Sequence, residues 1–336
     1  MADPFGFPVA GAHVFCDVGA VGTSDLQGSG LEENVVHRKR TAWLLVETAA
    51  VYAALALAIL VSERCHAPPE VKLLPVVGLG FWFHRLYVVA HEASHRKLWP
   101  QSSRINDALG QIMLLPLMVP LRIHRKIHAF HHAHNRRDHH LSALDTYVVR
   151  GRCGWGRRVW CYGLWYVGVF AGGWFVHSLV SVVLFLCMPL RLARRVSPAF
   201  KGWRRRDQLA SLAVFACGVS LHVGIAFAFG ARVWLLLFGW PLLAFAWCYS
   251  LLVYIYHYGT GYGPAVREHV RSLRPSPLLR WWLLGFSDHA VHHQEPQLPW
   301  YALAARDQGA DASKRQSVAS AIWNQWRGPT IVKGPS

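Results

Sequence analysis

A chain of 336 residues that is 53% hydrophobic and only 16% charged, with 16 Trp, is not composed like a soluble protein; its apolar residues come in runs long enough to cross a bilayer, which takes roughly 20 residues per helix. The net charge of +17 raises nucleic acid as a partner, but no nucleic-acid motif accompanies it, and the basic residues flank apolar runs at 37–40, 191–206 and 267–280, the positive-inside pattern with attraction to anionic headgroups, which excludes that partner. Seven scattered cysteines without a CxxC pair read as small core residues, not as a disulfide frame or a zinc site.

In chain order, residues 1–36 lack a charged segment followed by an apolar one, so they are expected to be a flexible cytosolic tail and not a cleaved signal peptide. Ala42 to Val61 is the first expected span. It holds Glu47, an intramembrane acid that is either functional or close enough to a helix end to reach the interface. A loop with Pro68 and Pro69 leads to a second span, Leu73 to Ala90, which runs straight into His91. Ile105 to Leu121 is short and broken by Pro116 and Pro120. It is expected to be interfacial or re-entrant, because a crossing there would place the histidine clusters on opposite faces. Val159 to Leu190 has basic residues at both ends, which favours a re-entrant hairpin or an interfacial helix. Gln208 to Gly230 and Val233 to Tyr256 form a tight pair of spans. The expected fold is therefore an all-α integral membrane protein with four transmembrane helices, interfacial or re-entrant pieces, and a His-rich cap at the cytosolic face. Its expected divisions are a tail (1–36), a membrane domain (37–305) and a polar tail (306–336).

Eight histidines lie in three clusters: His91 and His95; His128, His131 and His132; and His289, His292 and His293. The spacings HxxxH and HxxHH place imidazoles on one face of a helix. Neutral imidazole is the commonest side-chain metal ligand. A structural zinc ion takes four ligands; eight histidines are too many for one ion and about right for two. Nitrogen-rich ligation with open positions suits redox iron better than a zinc hydrolase, although affinity order alone favours copper or zinc. Two irons with O₂ as co-substrate remove hydrogen from an unactivated C–H bond, chemistry that belongs to the metal.

The three boxes, their order and their flanks resemble the membrane fatty acid desaturase family. HEASH at 91–95 is followed by Leu98-Trp99-Pro100 and by Asn106-Asp107; box two sits in the run from Arg122 to Asn135; box three leads into Pro296, Pro299, Trp300 and Tyr301. The likeness runs over about residues 40 to 305. It implies two irons held by His91, His95, His128, His131, His132, His289, His292 and His293 on the cytosolic face, in a bacterial inner membrane or the endoplasmic reticulum. It implies a further ligand after the last span, where His257 stands. It also implies O₂-dependent desaturation of a lipid acyl chain lying between the helices, with electrons from cytochrome b5 or ferredoxin and its reductase. Neither terminal stretch has a haem motif, so the donor is expected to be a separate protein.

His124, four residues before His128, and His134, three after His131, are alternatives to an assigned ligand. His84, His177 and His222 lie in apolar stretches and read as hydrogen-bonded core residues. Acids that hold the outer nitrogens of metal-bound rings are a regular feature of such sites; Asp107 and Asp138 are the expected ones. Competing functions are a related di-iron hydroxylase, ketolase, acetylenase or alkane monooxygenase. A metal transporter would place its ligands inside the spans.

Overall fold

The computed structural model describes residues 23–137, 149–150, 153–306 and 315–332. The chain divides into two compact units, Met1–Leu44 and Leu45–Ser336. In the first, a helix runs from Thr23, and His37 Nε2 lies 3.4 Å from Thr41 Oγ1 one turn on. The site and the packing described below lie in the second unit.

Helix α1 (Thr23–Arg64) continues to Arg64, and α2 (Pro69–Ser94) starts after a short turn. Pro69 opens α2 at the position where its missing N–H costs nothing. Helix α3 (Ser103–Leu114), capped by Ser102, is only 12 residues long. It ends in a 3-10 turn and the left-handed Met118. Helix α4 (Leu121–His134) carries box two. Then come strand β1 (Val149–Arg150), α5 (Trp155–Phe170) and α6 (Gly173–Cys187). These two helices are bent 94° apart at Gly172, whose φ of +81° favours a residue without Cβ. Helix α7 (Leu190–Val196) leads to α8 (Arg205–Phe229), and α9 (Ala231–Trp234) joins α10 (Trp240–Leu252) through a π-helical turn. Short helices follow: α11 (Pro277–Trp282), α12 (His289–Gln294), α13 (Leu303–Arg306) and α14 (Val318–Asn324); strand β2 (Ile331–Val332) pairs in parallel with β1.

Four helical stretches are long and apolar enough to cross a membrane: Asn34–Arg64, Pro69–Ser94, Arg205–Phe229 and Ala231–Leu252. These are the four spans read from the sequence, with ends shifted by a few residues, and the protein is an all-α integral membrane protein. Leu74 is 80% exposed and Phe227 93%, which in water would be unfavourable and in lipid is the expected state. The bent pair α5–α6 and the short α3 account for the two apolar stretches not read as simple spans.

Helices α2 and α10 form the central pair. Gly80 allows their close approach, because a Cβ there would meet Ala244 Cβ at 2.5 Å and Pro241 O at 2.6 Å. Beside this pair, Glu47 of α1 lies 3.7 Å from the guanidinium of Arg85, and Trp281 Nε1 donates to the same carboxylate. Arg85, 1% exposed, donates to the carbonyls of Trp281 and Trp282. The intramembrane acid thus finds a cation and an indole, and the trio ties α1 and α2 to the segment before box three.

The C-terminal stretch departs from expectation. Residues 315–332 are not a solvated tail. Gln325 is fully buried and donates to Leu251 O at 2.9 Å. Its own carbonyl accepts from Trp165 Nε1 at 2.9 Å, and Tyr258 Oη donates to Gly328 O at 2.9 Å. Local polarity suggested water. The buried face is made by Val318, Ala321 and Gln325, spaced three and four residues apart as a helix requires.

Gly80→Leu is expected to destabilise the protein by about 1–3 kcal/mol through overpacking. Thermal unfolding in detergent measures it, and an unchanged midpoint would contradict the tight α2–α10 contact.

Candidate metal centre

The histidine clusters meet at the shared C-terminal end of α2 and α10. His91 and His95 close α2, His257 follows α10 by a turn, α4 carries box two, and α12 supplies box three. The rings form two groups: His91, His95, His128, His132 and His292 in one, and His131, His257, His289 and His293 in the other, with the ligand atoms of each group within 4.8 Å of one another.

Helix geometry explains the division. Adjacent residues on an α-helix are turned about 100° apart, while residues four apart share a face. His128 and His132 therefore aim at one group, and His131 at the other. In α12 the neighbours His292 and His293 divide in the same way, and His289 joins His293. Box one has no adjacent pair, so both its rings enter the first group. The second group would hold three without His257.

Nε2 of His128 lies 2.8 Å from Nε2 of His91, 2.8 Å from that of His95 and 3.0 Å from that of His132. One imidazole nitrogen carries either one proton or one lone pair. It cannot satisfy three such neighbours by hydrogen bonding. A metal–imidazole bond of about 2.1 Å with neighbouring bonds at right angles spaces nitrogens by about 3.0 Å. The remaining contacts fit the same spacing: His132–His292 at 3.1 Å, His131–His293 at 3.2 Å and His257–His289 at 3.2 Å. The donor set fits a pair of ions better than a hydrogen-bonded core.

Burial prepares the rings for that role. It pushes His95 down to about 4, with Lys97 and Arg125 adding to the effect, and His131 to about 3, with the neighbouring His95 adding to it. His128, His257, His289, His292 and His293 are likewise held well below 6.5, burial first and neighbouring side chains second. At neutral pH these imidazoles are uncharged and their lone pairs are free to coordinate.

The surroundings differ in part from the sequence reading. Asp107 does not reach a ring: both its oxygens take hydrogen bonds from Arg125, whose guanidinium also donates to Ala93 O at 2.9 Å and Ser94 O at 3.0 Å. Arg125 thereby fastens α4 both to α3, through Asp107, and to the end of α2, and Asp107 acts on the histidines only through Arg125. Asp138, with His139 and His140, lies outside the described residues. Glu92, buried, has an oxygen 3.7 Å from His91 Nδ1 and accepts from the Trp300 N–H at 3.2 Å. Asp288 is fully buried beside His289 and takes a 2.7 Å bond from Arg280. Sequence reasoning missed Asn135 and Arg136. The Asn135 amide lies 2.7 Å from His257 Nδ1, and Arg136 donates to Gly261 O, Tyr254 Oη and Thr260 O, clamping the turn that carries His257. Their place directly after box two was the only signal.

His124 and His134 join neither group. His124 Nε2 lies 3.4 Å from Tyr87 Oη, and His134 stacks on Phe130. His222 is hydrogen-bonded as expected, to Pro116 O at 2.9 Å and Trp234 Nε1 at 3.1 Å. His84 lies against Trp282, and its Nδ1 has no partner among the described residues; His177 is exposed.

A cavity of about 120 Å³ touches His128, His131, His257 and His289. A second, about 470 Å³ and mostly apolar, shares Tyr87, His124, Ile127, Tyr249 and Val253 with it and extends past Trp174, Phe175, Val182 and Phe185 to Phe200.

Unfolded imidazoles take up protons near pH 6.5, whereas His95 and His131 resist to about 4 and about 3. Between those limits the unfolded chain binds more protons. The metal-free protein is therefore expected to hold full stability above pH 6.5 and to lose it steadily as pH falls towards 4. Melting curves across that range test this, and a flat profile would contradict the burial of neutral rings.

Residues 71–312 match the family described as fatty acid desaturase. A chloroplastic omega-3 fatty acid desaturase of Glycine max is 24% identical over 249 residues, covering 69% of this chain and 52% of that protein. The chain thus spans about half the length of this relative. The family match takes in all three histidine boxes and most of the chain, so this protein belongs to the fatty acid desaturase family.

Proposed function

We propose that the protein is a di-iron membrane enzyme that uses O₂ to introduce a double bond into a lipid acyl chain. One observation carries this reading: two groups of neutral, converging imidazoles border a cavity that shares Tyr87, His124, Ile127, Tyr249 and Val253 with a larger apolar one. The ligands are His91, His95, His128, His132 and His292 for one iron and His131, His257, His289 and His293 for the other. When bound, the iron pair supplies O₂ activation and hydrogen abstraction from carbon.

The chain's own residues do the rest. Helices α2, α4 and α12 hold the rings at fixed spacing, so little reorganisation follows binding. The apolar wall from Phe200 to Phe175 takes up the chain and keeps water from the reacting carbon. Tyr87 and Tyr249 stand where the two cavities meet and set how far the chain advances. Desaturation and hydroxylation share the first abstraction and differ in geometry on the scale of about an ångström.

The desaturase domain is proposed to span residues 37–305, with the docked 315–332 segment bracing it. The site is proposed to face the cytosol. Arg267 and Arg280 sit beside box three, Arg280 paired with Asp288, and basic loops mark the cytosolic side. Electrons then come from a separate carrier, cytochrome b5 or ferredoxin with its reductase; the net charge of +17 suits an acidic one.

Expression in a host with simple lipids, followed by mass spectrometry, should reveal new unsaturated acyl chains. Oxygenated chains instead would convert the reading to a hydroxylase or ketolase. The purified protein should hold about two irons per chain. His131→Ala and His292→Ala should each abolish turnover, a loss of more than about 100-fold, while the protein still inserts. Retained turnover in both variants would refute the ligand assignment.

A further inference from the structure

The larger cavity reaches the surface at the turn after α7. Its wall there is Val196, Ser197 and Pro198, with Val196 58% exposed, while Ala199 and Phe200 are buried. This mouth lies in the most basic part of the chain. Between residues 191 and 207 stand Arg191, Arg194, Arg195, Lys201, Arg204, Arg205 and Arg206 against a single acid, Asp207. Asp207 is already engaged by Arg122 at 2.6 Å. Arg194 donates to Trp203 O, and Arg205 to Gln208. Arg191 and Arg195 are exposed and have no acidic partner among the described residues. They are four residues apart on α7 and so share a face. Arg195 is the immediate neighbour of the cavity-lining Val196.

The same helix exposes Leu192 (45%) and Val196 (58%) beside these cations. Exposed apolar and basic side chains together on one short helix fit the headgroup layer of a membrane, not open water. A chain drawn into the cavity from that layer would leave its headgroup against the two arginines. Guanidinium recognises phosphate by charge-assisted, bidentate hydrogen bonds.

We propose that Arg191 and Arg195 bind the phosphate of an anionic phospholipid whose acyl chain enters the larger cavity. The proposal rests on the acyl-chain reading above and adds the carrier: a lipid of net negative headgroup, in place of a zwitterionic lipid or a soluble thioester.

The test is binding to the purified, metal-free protein in micelles, using phosphatidylglycerol and phosphatidylcholine with identical spin-labelled chains. The wild type should retain phosphatidylglycerol roughly tenfold better or more, at about the strength two surface arginines provide. Arg191→Gln with Arg195→Gln should bring it down to the phosphatidylcholine level, with a much smaller change in phosphatidylcholine binding itself. Should that variant fail to fold, wild-type preference should still fall steeply with added salt, and Arg191→Lys with Arg195→Lys should keep it. Equal retention of the two lipids overturns the proposal, as does a preference that survives in the Gln variant or is insensitive to salt. Displacement by millimolar inorganic phosphate, or by an acyl-CoA at the lipid's own concentration, overturns the lipid assignment. Binding is read without iron, so its failure is distinct from a failure to form double bonds.

Discussion

The architecture depends on uncharged imidazoles converging where two apolar helices end. Nε2 of His128 has three other ring nitrogens at hydrogen-bonding distance and can serve at most one of them. Such packing is costly unless the lone pairs share an electrophile. Burial keeps the rings neutral and thereby makes the convergence possible. It also raises the cost of any ring that misses its target, so the scaffold around the histidines is firmly fixed.

That fixing is done largely by arginines. Arg85 joins Glu47 to the carbonyls before box three, Arg125 joins Asp107 to the end of α2, Arg136 clamps the turn of His257, and Arg280 holds Asp288 next to His289. Each uses the planar, multi-donor guanidinium to bridge elements far apart in sequence. Lysine could supply the charge at these places but not the fork. Arg85 is deeply buried beside Glu47, so losing that partner leaves an uncompensated buried charge; Arg125 with Asp107 and Arg280 with Asp288 are partly exposed. The arginine set thus ties together the elements that carry the histidines.

The spans and boxes were legible because they are local. Twenty apolar residues, or histidines at three- and four-residue offsets, announce themselves without knowledge of the fold. The neighbouring pairs His131–His132 and His292–His293 even encoded the division into two groups, since adjacent helical residues point in different directions. What stayed hidden is non-local. Asp107 lay near box one in sequence and was expected to reach a ring, but Arg125 outcompetes a neutral imidazole for a carboxylate. Asn135 and Arg136 gave no pattern, because their partners lie about 120 residues away. The docked 315–332 segment was obscured by its polarity: Gln325 is buried with its side-chain N–H donating to Leu251 O and its backbone carbonyl accepting from Trp165, pairings that composition does not reveal.

The two groups are unequal, and the inequality has a direction. Among the described residues one gathers five imidazoles and the other four. The smaller cavity touches only His128 of the five but His131, His257 and His289 of the four. In the proposed enzyme, the group with fewer nitrogens therefore faces the incoming chain. A coordination shell with fewer protein ligands leaves more positions for exchangeable ones, and those positions are useful only on the side where substrate arrives. His257 then has a double part. It completes the poorer group, and it stands on a turn held by Asn135 and Arg136 of the helix end that also supplies His131. The cavity side and the fixing of the fourth ring are thus set by the same stretch of α4, which links the side of the site that meets the chain to how the second ion would be held.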